Sequence, residues 1–449
     1  MINRPGMTFA CVALLAALAT GVAHAANSAI VIHNVHVFDG TTTTRSATPA
    51  NVLIVDNGIA AISAGAIAAP EGVSPTVIDG GGRTLMPGLI DAHTHVTLTG
   101  PNEVTMLTSD LGYVNLRAAK VAEAMLMRGF TAVRDAGGPS FGLRRAIEEG
   151  WVPGPRIFPA GATISQTGGH GDFRLPTDIP RDTSAPISYA ERVGATAVAD
   201  GVDEVLRRAR EQLMLGATHL KLMAGGGVSS VYDPLDVTQY TPEELRAAVT
   251  AAENWGTYVS VHAYTSRAVR IAIEAGVKSI EHAQLIDEDT ARLMAQHDVW
   301  WSLQPFLDNE LANPKTGAAR VKQLMVSAGT DKAYELAKKH GIKVAFGTDI
   351  LFSGDLGERQ NPLLTSLVRW YQPGEILKMA TGDNARLLAL SGPRYPYDKP
   401  LGIIAEGAMA DVLLVDGDPT ADIGLLNDPH RHLVLIVKNG RIYKNTLDQ

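Results

Sequence analysis

Two histidines, His93 and His95, stand at the end of an apolar run that begins at Leu85 and reaches Ile90. Residues two apart in a β-strand point to the same face, so both imidazoles would project side by side where the strand ends. Neighbouring imidazoles on one face are a natural start for a metal site. An isolated His-x-His pair is more often a pair of ordinary surface or core histidines, so its interpretation depends on the rest of the chain.

Further residues of metal-ligand type recur at later predicted strands. The fourth strand holds Lys221, the fifth ends at His262, the sixth ends in Glu281-His282, and the eighth ends in Gly347-Thr348-Asp349. In a parallel barrel the carboxyl ends of the strands share one rim, and that rim carries the chemistry. Each residue alone has an ordinary explanation, such as a surface lysine or a helix-capping aspartate. Their joint placement on separate strands favours a metal site.

Lys221 requires a physical explanation, because a protonated lysine cannot bind a cation. It lies in the apolar sequence His-Leu-Lys-Leu-Met, where desolvation favours the neutral amine. A neutral amine can add carbon dioxide to form a carbamate, an anionic oxygen ligand able to bridge two divalent metal ions. A salt-bridged barrel lysine is the alternative. The two predicted ligand sets are His93, His95 and Asp349 for one ion, and His262 and His282 for the other.

The elements that must position these residues alternate between short apolar strands and amphipathic helices. Alternating strands and helices imply parallel pairing, and eight such units imply a closed (β/α)8 TIM barrel of the α/β class. The eight predicted strands open at Leu85, Thr131, Arg156, His219, Val259, Ser279, Val299 and Lys343. Residues 161–200 are rich in Gly, Pro and Asp and are predicted to form an extended loop over the active face.

Both ends of the chain have the pattern of β-structure instead. Ala29–Val37 is rich in β-branched residues, and Asp56-Asn57-Gly58 is a strong hairpin turn. Asp411–Val415 and Leu433–Val437 are again strand-like. We therefore predict a discontinuous β-sandwich domain formed by residues 26–84 and 392–449, with the barrel between them at residues 85–391.

Residues 1–25 have the features of a secretory signal peptide. Arg4 precedes the apolar stretch Phe9–Val22, and Ala23-His24-Ala25 is a small-x-small cleavage site. The expectation is a secreted or periplasmic protein with no membrane role after cleavage. Cys11, the single cysteine, would be removed with this segment, so a metal site in the mature chain must use histidines and carboxylates. The net charge of −8 argues against nucleic acid as a partner.

The chain resembles the amidohydrolase superfamily, in its binuclear form with a carboxylated lysine. The matching residues are Asp91-Ala92-His93-Thr94-His95, Lys221, His262, His282, Asp349 and the helical segment Thr381-Gly382-Asp383-Asn384-Ala385. Within it, the segments 168–172, 221–227 and 262–264 resemble the Xaa-Pro and Xaa-Arg/Lys dipeptidase-like branch, which includes carboxypeptidase-like and ochratoxin-degrading enzymes. The resemblance implies two divalent metal ions and hydrolysis of an amide that joins an acyl group to a C-terminal amino acid. Dipeptides, N-acyl amino acids and ochratoxin A are the small-molecule substrates considered.

We hypothesise that a metal-bridging hydroxide attacks the scissile carbonyl carbon. Asp349 would accept its proton and deliver it to the leaving amine. His170, on the long loop, is a candidate second donor to the carbonyl oxygen, although a plain histidine in a Gly-rich turn fits equally well. Tyr232 is a candidate for binding the substrate carboxylate or carbonyl, with a structural loop tyrosine as the alternative.

Other readings of the sequence remain open. A cyclic-amide hydrolase or deaminase of the same superfamily is the enzymatic alternative, and a non-catalytic metal-binding protein is the alternative of another class. Zinc suits a histidine-rich site, but manganese, cobalt and iron are not distinguished from it by these residues. A homo-oligomer is expected by analogy with such folds alone.

Overall fold

The computed structural model describes residues 27–100, 102–180 and 186–447, so the predicted signal peptide lies outside the described residues. The strands are β1 (Ala29–Val37), β2 (Ala50–Val55), β3 (Gly58–Ser63), β4 (Thr76–Asp79), β5 (Thr84–Pro87), β6 (Leu89–Thr94), β7 (Phe130–Asp135), β8 (Arg156–Pro159), β9 (Thr163–Ser165), β10 (Thr196–Val198), β11 (Leu220–Met223), β12 (Val259–Thr265), β13 (Ser279–Leu285), β14 (Trp300–Leu303), β15 (Val344–Phe346), β16 (Val412–Val415), β17 (Leu433–Lys438) and β18 (Arg441–Asn445).

The α-helices are α1 (Glu103–Thr108), α2 (Leu111–Met127), α3 (Phe141–Glu148), α4 (Tyr189–Arg192), α5 (Val202–Leu215), α6 (Pro242–Asn254), α7 (Ser266–Ala275), α8 (Glu288–Gln296), α9 (Gly317–His340), α10 (Gln360–Thr365), α11 (Pro373–Lys378), α12 (Asn384–Leu388) and α13 (Pro429–His432). Short 3₁₀ helices cover Val96–Leu98, Pro176–Asp178, Asp355–Arg359, Ser366–Arg369, Ala389–Arg394 and Ile423–Asn427, and a π-helical turn covers Met379–Asp383. Within the described part of the chain, no helix is long and apolar enough to cross a membrane.

Strands from both ends of the chain share one eight-stranded sheet. Its order is β18-β17-β16-β5-β1-β2-β3, with β4 paired to β1. β16, from the C-terminal segment, runs antiparallel to β5, and this pairing joins the two distant segments. The buried side chains of this sheet are aliphatic, as in Ile32, Leu85, Val412 and Leu435. The sheet is therefore stabilised by an apolar core of its own.

The middle of the chain forms two parallel sheets. One has seven strands in the order β10-β9-β11-β12-β13-β14-β15, and the other has the order β6-β7-β8. All of their pairings are parallel. The predicted α/β class is confirmed as a mixed α/β fold, because helices follow most of these strands and pack their apolar faces against them. Seven of the eight predicted strands begin within one residue of the predicted position.

The first predicted strand is the exception. The apolar run from Leu85 is divided between two sheets: β5 ends at Pro87 and pairs with β16, whereas β6 begins at Leu89 and pairs with β7. Gly88 separates the two, and a Cβ atom there would lie 1.9 Å from the Thr131 hydroxyl oxygen. Continuous hydrophobicity in the sequence cannot reveal such a division, because both strands are fully buried.

The predicted extended loop at residues 161–200 is partly regular. It contains the parallel pair β9 and β10 and the short helix α4. Elements of three or four residues are too short for hydrophobic periodicity to detect. The longer helices do follow their sequence signals: Thr241 and Glu244 form a capping box on α6, and Gly216 ends α5 at φ +101°.

Candidate metal centre

His93 and His95 converge on one carboxylate. Their Nε2 atoms lie 3.2 and 3.3 Å from Oδ1 of Asp349. Both imidazoles are buried at the end of β6. His93 Nδ1 donates to a carboxylate oxygen of Glu281 at 2.8 Å, and His95 Nδ1 donates to the Gly137 carbonyl at 2.9 Å. With both Nδ1 hydrogens directed to fixed acceptors, the Nε2 atoms are the ones that face Asp349.

His262 and His282 form a second pair on the neighbouring strands β12 and β13, with ring centroids 4.6 Å apart. His282 Nδ1 donates to Oε1 of Gln304 at 2.7 Å, and His262 Nε2 donates to the Gly226 carbonyl at 3.1 Å. Burial lowers the pKa of His282 to about 3 and lowers the pKa of His262 well below its ordinary value. Both rings are therefore neutral at neutral pH and have one nitrogen free as a ligand.

Asp349 is fixed by its backbone. Its N–H donates to the His93 carbonyl at 2.7 Å, and its φ of +53° lies in the left-handed region that side chains rarely adopt. Burial would raise the pKa of Asp349, but the adjacent imidazoles of His93 and His95 hold it well below its usual range. Ligand atoms of His93, His282 and Asp349 lie within 4.8 Å of one another. This donor set fits a divalent cation, which would satisfy the facing lone pairs.

Lys221 lies in β11 with 1% of its surface exposed. Burial lowers the pKa of its amine to about 8, although Glu281 and Asp349 act in the opposite direction. Among the described residues, no carboxylate lies within salt-bridge distance of its Nζ atom. The side chain lines the same cavity as the four histidines and Asp349. The structure thus brings together all six candidate ligands and does not show the salt-bridged lysine of the alternative reading.

His170 also lines this cavity. Its ring stacks on His262 with centroids 4.0 Å apart, and its Nδ1 lies 2.8 Å from the Ser230 hydroxyl oxygen. Burial lowers the pKa of His170 to about 4, against the raising effects of Asp233 and Asp349. The imidazole is therefore neutral at neutral pH and can donate through one nitrogen only.

Tyr232 is not brought to this centre. Its side chain is 39% exposed, and its hydroxyl donates to the Arg174 carbonyl at 2.7 Å. It is absent from the residues that line the cavity in the described structure. The loop directs its side chain towards the segment around Arg174, so the structure agrees with the structural alternative for this tyrosine.

Three side chains that sequence reasoning gave no role contact the ligands. Glu281 bridges His93 and Arg134, and Arg134 Nη2 lies 2.7 Å from both of its oxygens. Gln304 orients His282, and the buried ring of Tyr264 stacks on His282 with centroids 5.2 Å apart. Gln304 directly follows an apolar strand, so the strand-end rule used for the ligands would have indicated it. The same rule would have indicated Arg134, which lies near the end of β7.

Comparisons with known proteins agree with this geometry. The model of the amidohydrolase family matches residues 84–443. An ochratoxinase from Aspergillus niger is 32% identical over 372 residues, which are 80% of this chain and 75% of that protein. The crystal structure of an amidohydrolase superposes with a TM-score of 0.85 at 38% identity, covering 94% of this chain and 100% of its own. A prolidase complexed with N-methylphosphonate-L-proline gives a TM-score of 0.84 at 35% identity and covers 93% and 100%.

Proposed function

The chain belongs to the amidohydrolase family, and from that premise we propose that it uses metal ions to hydrolyse the amide or peptide bond to a C-terminal amino acid. Its family membership and relatives make it a hydrolase of carbon–nitrogen bonds. The observation that carries the proposal is the convergence of four imidazoles, Asp349 and Lys221 in one cavity. The ochratoxinase and the prolidase with its L-proline derivative support dipeptides and N-acyl amino acids, including ochratoxin A, as the substrate class.

The fold that would present this site is a closed (β/α)8 barrel. β15 lies beside β6, because the N–H groups of Thr348 and Asp349 both donate to the His93 carbonyl. Asn384 links the same two strands, since its Nδ2 donates to the carbonyls of Ile90 and Phe346 at 2.7 and 2.8 Å. These contacts support closure of the two parallel sheets into one barrel at residues 85–391. The eight-stranded sheet would be the discontinuous β-sandwich domain of residues 26–84 and 392–449.

Two divalent ions, with zinc as the expected metal, fit the ligand sets. His93, His95 and Asp349 would hold one ion, His262 and His282 would hold the other, and a carboxylated Lys221 would bridge them. When bound, the metal ions polarise the scissile carbonyl and lower the pKa of water from 15.7 to about 7, so that a nucleophile exists at neutral pH. The buried amine of Lys221, which has no carboxylate within salt-bridge distance among the described residues, supports carboxylation. In that step its nitrogen lone pair would bond to the carbon of carbon dioxide, and one proton would be released.

The chain's own residues would position the substrate and move protons. Asp349 is ionised at neutral pH, so its carboxylate would accept a proton from the attacking water. It would then pass this proton to the leaving amine nitrogen. His170 would donate from Nε2 to the carbonyl oxygen as negative charge develops there. Apolar side chains such as Leu98, Phe306 and Phe352 line the same cavity and would exclude water from the reacting amide.

A substrate panel tests this proposal. The metal-loaded enzyme is incubated with N-acyl amino acids, dipeptides and ochratoxin A, and in parallel with cyclic imides and aminopurines. We expect release of free amino acids from the first group. Turnover of the ring substrates alone would replace the proposal with the cyclic-amide hydrolase or deaminase reading. No turnover of any amide, despite full metal occupancy, would favour the non-catalytic alternative.

We further propose that residues 1–25 direct export, which makes the enzyme secreted or periplasmic, and that it acts as a homo-oligomer on small molecules. The sequence of the signal segment supports the first proposal, and analogy supports the second. Mass spectrometry of the exported protein should give Ala26 as its first residue, whereas an intact Met1 would contradict cleavage. Light scattering of the purified protein tests the assembly.

A further inference from the structure

Ser230 is placed to control the imidazole of His170. Its hydroxyl oxygen lies 2.8 Å from His170 Nδ1 and 3.4 Å from the Gly227 carbonyl oxygen. The shorter contact is a full hydrogen bond and the longer one is at the limit of such bonds. The hydroxyl hydrogen therefore has its better acceptor in an unprotonated Nδ1. If Nδ1 accepts, the remaining hydrogen of a neutral imidazole is on Nε2.

The neighbouring carboxylate does not compete for this nitrogen. Asp233 Oδ2 lies 3.9 Å from His170 Nδ1, beyond hydrogen-bond distance. The same oxygen already accepts from the Gly227 N–H at 2.8 Å and from Gln239 Nε2 at 3.2 Å. Gln239 in turn accepts from the His170 N–H through Oε1 at 3.0 Å. Asp233 thus stabilises the loop around His170, and His170 Nδ1 remains available to hydrogen-bond with Ser230.

A lysine from a distant helix fixes the segment that carries Ser230. Lys322, on α9, donates from Nζ to the carbonyls of Ser230 and Asp233 at 3.0 and 3.1 Å. The ring of His170 is also packed closely against the start of this segment. A Cβ atom at Gly227 would lie 1.9 Å from the His170 Nδ1 and Cε1 atoms, so only glycine allows the approach. Ser230 therefore meets the imidazole in a defined geometry.

We propose that Ser230, held in place by Lys322, is a positioning residue that donates to His170 Nδ1 and so fixes the tautomer with its proton on Nε2. On the proposed amide hydrolysis, that Nε2–H is the group offered to the substrate carbonyl oxygen. The inference rests on the proposed function for this last step alone. The tautomer itself is a property of the protein, and it can be measured without any substrate.

Nitrogen NMR of the zinc-loaded, full-length enzyme tests the tautomer. Histidine is labelled with ¹⁵N, and the His170 signals are identified by their loss in His170→Gln. We expect an unprotonated Nδ1 and a protonated Nε2 in the wild type, and a mixture of tautomers in Ser230→Ala. A protonated Nδ1 in the wild type overturns the proposal, as does an unchanged spectrum in Ser230→Ala.

Kinetics give an independent readout. Ser230→Ala should lower kcat by about 10–100-fold, the usual cost of removing an outer hydrogen-bond partner of a functional histidine, with little change in KM. Ser230→Thr keeps the hydroxyl and should restore most of kcat, which a purely structural effect would not do. Ser74→Ala, at an exposed position outside the cavity, is the matched control and should match the wild type. Equal losses in the alanine and threonine variants contradict the proposal.

Lys322→Met offers a second route in case Ser230→Ala folds poorly. Loss of both carbonyl contacts should mix the His170 tautomers in the same NMR experiment, and an unchanged spectrum would remove Lys322 from the proposal. If the wild type cleaves no amide of the panel, the proposed function fails. The NMR result would still decide whether Ser230 fixes the imidazole, so the two failures are distinguishable.

Discussion

The two candidate ligand sets are held in place by different means. The set of His93, His95 and Asp349 is fixed by strand ends and a buried carboxylate, since Glu281 accepts from His93 and the Asp349 N–H donates to the His93 carbonyl. The set of His262 and His282 depends on segments that follow the strands. Their partners are the Gly226 carbonyl and the Gln304 amide, and His170 stacks on His262 from a loop.

The two sets also differ in charge. The first contains the ionised Asp349 and has Glu281 directly behind it, whereas the second contains no carboxylate and its hydrogen-bond partners, the Gly226 carbonyl and the Gln304 amide, are neutral. Two neutral imidazoles with neutral partners offer a divalent cation little electrostatic stabilisation. The second ion would therefore depend on an anion supplied between the sets, which is the role proposed for a carboxylated Lys221. We expect the first set to bind metal more tightly and the second to be lost first.

Asp349→Asn should have the largest effect, because it removes the charge of the first set and the proposed proton acceptor together. We expect kcat/KM to fall by at least about 10²–10⁴-fold, the usual contribution of general acid–base catalysis, with the fold retained by circular dichroism. Asp203→Asn, on the outer helix α5, is the control. Near-normal turnover in Asp349→Asn would exclude the general-base role.

Lys221→Ala should affect metal binding by the two sets differently. Without the bridging anion, metal content should fall from two ions per chain towards one, and activity should fall with it. Short carboxylic acids such as acetate should restore part of both, because they can supply the missing oxygens. Metal analysis of the dialysed protein measures the occupancy, with the exposed Lys120→Ala as the control. Two ions per chain in Lys221→Ala would contradict the carbamate.

Glu281→Gln should weaken metal binding by the set of His93, His95 and Asp349, which we expect to bind its ion more tightly. The Glu281 carboxylate orients His93 and neutralises the fully buried Arg134. Loss of an outer partner usually costs about 10–100-fold in metal affinity, and an unpaired buried charge costs about 3–5 kcal/mol of unfolding free energy. Metal titration and chemical denaturation measure the two effects, and the exposed Glu274→Gln is the control. Unchanged affinity in a folded variant would show that Glu281 does not organise this set.

The sequence predicted a residue of the cavity correctly where its position along a strand determines whether it reaches the cavity. The ligand types His262, His282 and Asp349 were visible because each closes a predicted strand, and the ends of parallel strands meet at one rim. The structure extends β12 and β13 to Thr265 and Leu285, beyond the predicted ends at His262 and His282. Sequence reasoning failed where one apolar run serves two sheets, as at Pro87, and where strands are three residues long, as in β9 and β10. Hydrophobic periodicity has no information on either feature.

The contacts that orient the ligands were harder to predict from the sequence. Glu281 and Arg134 are 147 positions apart, and only the folded arrangement of β7 and β13 brings them together. The side chain of Tyr232 depends on how a glycine-rich loop turns, which sequence patterns do not specify. The strand pattern thus predicts which residues reach the rim, whereas the orientation of each depends on neighbours that are remote in sequence.

The effect of pH on metal loading sharpens the comparison further, because Lys221 is the proposed bridge between the two sets. Burial lowers the pKa of its amine to about 8, so the neutral, reactive fraction rises from about a tenth at pH 7 to about nine tenths at pH 9. Binding of the second ion to the apoprotein should therefore accelerate about tenfold over this range at a fixed concentration of dissolved carbon dioxide. Binding of the first ion should change much less, because Asp349 is already ionised throughout. Stopped-flow measurements with zinc follow the two phases. Equal acceleration of both phases, or a second phase that does not depend on carbon dioxide, would show that the second set obtains its anion from another source than Lys221.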